Sequence, residues 1–215
     1  MQSASSPPGR PERAGYHHGN LTEVLLETAV RLIEEKGVDV LSVREVAKRA
    51  GVSPGAPFRH FRSRNALLTA VAEQAMTRLT EAVQAELAAA DGGDPVAGLG
   101  AIGRAYLDWA WRNPTHFQVI SSRTLIDFHG SELLVTRNEA IRQQMLALID
   151  EARRSGLIRA DIDAGDLMLM LRAFAYGVSR MWIDGHFPEW KVGRPPDQAM
   201  RGALDLFIGL LREQP

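Results

Sequence analysis

Apolar residues recur at three- and four-residue steps along nearly the whole chain, separated by short clusters of Gly, Pro, Asn, Asp and Ser. No stretch alternates with period two for long enough to make a strand, so the pattern predicts an all-α protein. Asn20 precedes Leu21, Val24, Leu25, Thr28 and Leu32, with Glu23 three residues on, and is the expected N-cap of a first helix that Gly37 ends. Ser42 and Glu45 repeat the device for a shorter helix that turns Val43, Val46, Ala47 and Ala50 inward and stops at Gly51. Ser53 and Pro54 are expected to open a third helix, with Phe58 and Phe61 three apart on its packing face. Ser63 starts a fourth, carrying Leu67, Leu68, Val71 and Met76 to about Ala89.

Beyond the loop from Ala90 to Pro95, Leu99, Ile102, Tyr106 and Trp109 mark an amphipathic helix that Asn113 and Pro114 stop. A short helix should carry Phe117 and Ile120. Longer ones follow: Ile141 to Ala152, closed near Gly156; Asp163 to about Asp184; and about Asp197 to Arg212. The expected organisation is a flexible arm over residues 1–19, a three-helix helix-turn-helix domain over 20–64, and a helical bundle over 65–215 for ligand binding and dimerisation. The helix over 63–89 connects the two domains.

Composition narrows the functions. The chain has 215 residues, 45% of them hydrophobic, enough to bury a real core. It has no cysteine, which removes disulfides, thiolate metal sites and cysteine nucleophiles, and a cytoplasmic location is the simpler expectation. Residues 1–15 hold no apolar run and are expected to be neither a signal peptide nor an anchor. The net charge of -1 hides a division: Met1 to Arg64 holds ten Lys or Arg against seven Asp or Glu, and the remainder fifteen against nineteen. A basic end beside an acidic body suits a nucleic-acid partner, though ordinary solvated surface looks the same.

The chemistry lies in two short helices joined by a glycine-containing turn at Ala50 to Ser53, an arrangement that frees the second helix to enter a major groove. Ser42 and Ser53 stand at expected helix N-termini, where hydroxyls and unpaired N–H groups meet phosphates. Arg44 and Arg59 can project outward, and Gly55 and Ala56 let the backbone approach base edges. The run Leu41-Ser-Val-Arg-Glu-Val-Ala-Lys-Arg-Ala-Gly-Val-Ser-Pro-Gly-Ala-Pro-Phe-Arg-His-Phe61 resembles the DNA-binding signature of the TetR/AcrR family. The resemblance covers about Asn20 to Ala72. It implies that Arg44 reads a base edge, that Ser42, His60 and Arg64 hold phosphates, and that Pro54, Gly55, Ala56 and Phe58 lie along the groove. Phe58 stands where most relatives carry tyrosine, so a phosphate-bonding hydroxyl is missing. Pro57 removes an internal hydrogen bond and is expected to tighten or bend the third helix. Tyr16 to Asn20 also resembles a subgroup of the family; with Arg10 and Arg13 it could reach an adjacent groove, form a disordered tail, or pack Tyr16 on the module.

The C-terminal part is rich in aromatic residues and methionine, which fill interiors by default and can also line a pocket. The candidates for a small-molecule site are Tyr106, Trp109, Phe117, Arg123, Phe128, Met145, Phe174, Tyr176, Met181, Trp182 and His186. Trp182 and His186 share a helix face if the helix continues that far. No metal site, cofactor site or catalytic residue is expected: no histidine has a second at helical spacing, and no nucleophile elbow or phosphate loop is present. In the last helix Met200, Ala203, Leu204, Phe207, Ile208 and Leu211 make one apolar stripe, while Leu206 and Leu210 continue around it. That stripe is the expected interface of a homodimer, and two-fold symmetry then predicts a palindromic operator in double-stranded DNA.

These readings point to a dimeric repressor that a small apolar or amphipathic effector releases from its operator, with no membrane partner. Two alternatives stay open. One is a regulator of the same shape without a small-molecule effector, either an activator or one regulated by a protein. The other is an enzyme or carrier with an N-terminal assembly module.

Overall fold

The computed structural model describes residues 18–90 and 92–212. Among these the chain forms α1 (His18–Lys36), α2 (Val43–Arg49), α3 (Arg64–Ala89), α4 (Pro95–Arg112), α5 (Pro114–Ser121), α6 (Glu132–Arg154), α7 (Ala164–Ile183) and α8 (Pro196–Leu211), with 3-10 turns at Val38–Val40 and Pro57–Arg59 and no strand. Side-chain caps set many of the boundaries. The hydroxyls of Ser42, Ser63 and Ser131 and the carboxylates of Asp94 and Asp163 accept orphan N–H groups of α2, α3, α6, α4 and α7.

α1 begins two residues before the expected cap, so Asn20 lies inside its first turn. N–H groups of a first turn need no partner four residues back, and a helix therefore extends past a capping residue at little cost. His18 and Gly19 consequently belong to α1 rather than to the arm. Arg10, Arg13 and Tyr16 lie outside the described residues.

α4 is the central helix, touching α3, α5, α6, α7 and α8. Its buried face comprises Val96, Leu99, Ile102, Ala105, Leu107 and Trp109. Three ion pairs fasten α8 to it: Arg201 donates to both carboxylate oxygens of Asp108 at 2.7 and 2.6 Å, Arg212 donates to the cap residue Asp94, and Arg104 lies 3.8 Å from Asp205. α3 joins this body to the N-terminal module by contacting α1 as well as α4, α5 and α6. Buried apolar residues run without a break from Leu25 in α1 to Ile208 in α8, so module and body share one core.

Candidate functional site

The N-terminal module is held from within. Leu25, Ala29, Leu32 and Ile33 of α1 pack with Leu41, Val43, Val46, Phe61, Leu67 and Leu68. Gly51, at φ +68°, makes the turn after α2 in a left-handed conformation that other residues rarely adopt. What remains outside is the surface marked by the sequence: Ser42, Arg44, Ser53, Pro54, Gly55, Phe58, Arg59 and His60 are exposed, and Ala56 is half-buried. Phe58 keeps 41% of its surface exposed.

The second reading element is not the α-helix expected from Ser53. The chain makes a turn through Pro54 and Gly55, then the 3-10 turn Pro57–Arg59. The N–H of Ala56 donates to the Ser53 carbonyl, and those of Arg59 and His60 to the carbonyls three residues back. Pro57 explains the change: an α-helix opening at Pro54 needs the N–H of residue 57 on the Ser53 carbonyl, and proline has none. Ser53 therefore caps no helix.

His60 is set by α1, with its Nδ1 3.1 Å from Oγ1 of Thr22. In the tautomer where that hydroxyl donates to Nδ1, Nε2–H is left to donate outward. Arg64 departs from the expectation. It is half-buried, and its Nη2 donates to the Val38 carbonyl at 2.8 Å, tying α3 to the turn after α1. Two exposed cations passed over in the sequence join the surface instead, Lys48 and Arg62. Among the described residues neither they nor Arg44 and Arg59 form an ion pair, whereas Arg49 is engaged by Glu35 and Lys36 by Glu45.

A second site lies between α3, α4, α6 and α7. A chamber of about 150 Å³ is bounded by Tyr106, Trp109, Ser121, Arg123, Arg172 and Tyr176, among others. It adjoins an apolar compartment of about 50 Å³, and Leu79, Tyr106, Ile141 and Arg172 border both. The compartment is walled further by Leu99, Ile102, Met145, Leu171 and Leu204. Burial pushes the Tyr106 phenol up to about 12, so it stays neutral and a donor at ordinary pH. Burial and the neighbouring Arg172 charge lower Arg123, whose guanidinium lies 3.9 Å over the Phe128 ring and donates to the Ile120 carbonyl at 2.6 Å.

Of the expected ligand residues, Tyr106, Trp109, Arg123, Met145 and Tyr176 line this double cavity. Phe117 is fully buried behind it, with ring centroids 6.0 Å from Tyr106 and 5.8 Å from Tyr176. Phe128 supports Arg123 without lining the cavity. Phe174, Met181, Trp182 and His186 lie elsewhere. Phe174 stacks on Phe207 at 4.7 Å, Met181 is exposed, and Trp182 packs on Trp111 at 4.4 Å. α7 ends at Ile183, so Trp182 and His186 do not share a helix face, and His186 pairs with Glu189 in the following loop. Arg172, Ser121 and Asn138 are lining residues that the sequence reading missed. A lone arginine between Leu171 and Phe174 on an apolar helix was the available signal.

The expected interface stripe of α8 also needs correction. Met200, Leu204 and Ile208 are buried inside the protomer against its own core. Ala203, Phe207 and Leu211 are half-buried at its edge. The opposite side carries the uncovered surface, with Leu206 67% and Leu210 71% exposed, and α7 adds Leu169 and Met170. The stripe does turn inward, but onto α4 of the same protomer, so it belongs to the protomer's own core and not to the interface.

Comparison with known proteins gives consistent results. Residues 25–71 match the model of bacterial regulatory proteins of the tetR family, and residues 99–207 that of the tetracyclin repressor-like C-terminal domain. Over 65 residues the chain is 35% identical to the uncharacterized HTH-type transcriptional regulator YvdT of Bacillus subtilis, covering 30% of this chain and 34% of that protein. Over 84 residues it is 39% identical to the HTH-type transcriptional regulator BetI of Yersinia pestis, covering 39% of this chain and 42% of that one. The matches thus span about a third to two fifths of these curated relatives. A solved protein of unknown function from Rhodococcus sp. RHA1 is 31% identical, with a TM-score of 0.75 over 94% of this chain and all of that one.

Proposed function

The chain belongs to the tetR family of bacterial regulatory proteins, and from that premise we propose that it is a DNA-binding transcriptional regulator: a homodimeric repressor that a small effector in the α3–α4–α6–α7 chamber releases from a palindromic operator. Arg44 reads a base edge. Phe58, Pro54, Gly55 and Ala56 make the close apolar approach, while Ser42, Ser53, His60, Arg59, Lys48 and Arg62 hold phosphates. Arg64 positions α3 on the Val38 carbonyl and leaves phosphate binding to its neighbours. The exposed apolar side chains of α7 and α8 form the dimer contact, two helices from each subunit, and the two-fold axis sets the operator's symmetry. No described helix is long and apolar enough to cross a membrane.

The observation that carries the effector reading is α5. Its C-terminal residues Ile120 and Ser121 line the chamber, and at its N-terminal end the Thr115 hydroxyl donates to Oε1 of Glu34 in α1 at 3.4 Å. One short helix thus touches both the cavity and the reading module. A ligand that prefers one setting of α5 shifts the angle of the module and the spacing between the two reading surfaces of the dimer.

The test is a mobility-shift titration on duplexes selected from a random pool. Selected sites are expected to be palindromic, and a subset of metabolites is expected to weaken binding at fixed salt. Unchanged affinity across a broad metabolite set, with the chamber demonstrably filled, would count against release.

A further inference from the structure

The donor and acceptor inventory of the chamber specifies the sign of its ligand. Arg123 and Arg172 border the same space, and the Arg172 charge is close enough to lower Arg123. Two guanidiniums drawn together ordinarily share a carboxylate. Here none is supplied: no Asp or Glu lines either compartment, and among the described residues neither arginine forms an ion pair. The Arg201–Asp108 pair between α8 and α4 shows that this protein does provide counter-charges for arginines that join helices.

The remaining polar groups lean the same way. Trp109 is 4% exposed and lines the chamber, and its indole N–H is buried without an acceptor. Tyr106 stays a neutral donor and cannot neutralise the arginines as a phenolate. Ser121, Asn138 and the phenol oxygens of Tyr106 and Tyr176 are the lining side chains that could also accept. An ammonium ligand would meet two positive charges and no carboxylate; an oxyanion meets two guanidiniums without a counter-charge. The adjoining compartment, walled by Leu79, Leu99, Ile102, Met145 and Leu204, suits an apolar chain or ring attached to that head.

We infer that the chamber binds an amphipathic carboxylate, its head at Arg123 and Arg172 and its apolar part in the compartment against Leu204. This inference rests on the chamber's being the effector site.

The test measures binding to the full chain by tryptophan fluorescence and calorimetry, using hexanoate, octanoate and dodecanoate beside octanol and octyltrimethylammonium. At least one carboxylate is expected to bind about tenfold or more tighter than the alcohol and the ammonium. Arg172→Gln is expected to lose about tenfold in carboxylate affinity and much less in alcohol affinity, and Arg172→Lys, which keeps the charge and loses the fork, to fall between Arg172→Gln and the parent. Arg123→Gln should behave alike; if removing its stacking on Phe128 unfolds the loop, the two Arg172 variants decide. Equal or tighter binding of the alcohol or ammonium, carboxylate affinity indifferent to Arg172, or no carboxylate binding at all overturns the inference. The two readings separate on DNA. A carboxylate that fills the chamber and leaves the operator occupied upholds the anion site and sinks effector release. Release by the ammonium alone does the reverse.

Discussion

Gly103 of α4 faces Leu204 of α8 so closely that a Cβ on the glycine would lie 2.9 Å from both terminal methyl carbons of the leucine. Leu204 is 1% exposed, and both residues border the apolar compartment. The missing side chain lets α8 lie against α4, buries the Met200, Leu204 and Ile208 side of α8 and leaves Leu206 and Leu210 outside. Gly103→Ala is expected to cost about 1–3 kcal/mol in overpacking, offset by about 1 kcal/mol of helix propensity. Thermal unfolding should show a net loss. The variant Gly103→Ala with Leu204→Ala should lose less than the two single changes together, because the second removes the clash. Additive losses would mean that the two residues do not share this contact.

That contact also explains which parts of the fold were legible in the sequence. Ser42 and Ser63 are local devices, and each caps its helix by accepting the N–H three residues on, although the Glu45 carboxylate pairs with Lys36 instead of returning a bond to Ser42. The apolar stripe of α8 was visible too, but that it packs on this protomer's own α4 rather than on a second subunit involves a glycine about a hundred residues away, which periodicity cannot supply. The same holds for Phe174 and Trp182, whose partners Phe207 and Trp111 are distant in the chain. Pro57 was visible in the sequence as tightening or bending the third helix, and its missing N–H goes further by replacing that helix with a 3-10 turn.

If Pro57 holds the reading element in a turn, restoring its N–H should wind it up. In Pro57→Ala the amide of residue 57 is expected to bond the Ser53 carbonyl and to become protected from hydrogen exchange. The variant should bind the selected operator with altered sequence preference, since the side chains of Phe58 and Arg59 rotate with the backbone. A residue-57 amide that exchanges freely would show that the turn is set by Gly55 instead.

The exposed cations of the module should divide by role. Arg44→Ala is expected to cost about 1–3 kcal/mol on the selected site and to relax preference at one base pair per half-site. Arg62→Ala should weaken all duplexes alike and shallow the dependence of affinity on salt by about one phosphate contact. Measuring both on specific and random duplexes at several salt concentrations checks the assignment. Base-specific loss from Arg62 would reverse it.

Leu206→Glu with Leu210→Glu places charge on the uncovered side of α8. Sedimentation is expected to report a folded monomer, and operator affinity should collapse because each half-site is then bound alone. Leu204→Glu should instead unfold the body, as it buries a carboxylate in the core. A doubly substituted chain that still sediments as a dimer would move the interface elsewhere.

His116 links stability to pH. It is 6% exposed on α5, with Nε2 3.2 Å from Oε1 of Gln74 on α3, and burial, helped by the Arg78 charge, pulls its imidazole down from 6.5 to about 4. Between those values the unfolded chain takes up a proton that the folded chain refuses, so stability falls as pH falls through this window and is fully present above it. The total is bounded at about 3 kcal/mol, the worth of the shift. Because α5 also borders the chamber and touches α1, acid should loosen the element that joins them. Melting temperatures across pH 4 to 7 are expected to decline on the acid side and to flatten there in His116→Gln, which keeps a polar partner for Gln74 but does not titrate. An equally steep decline in that variant would assign the acid sensitivity to other groups.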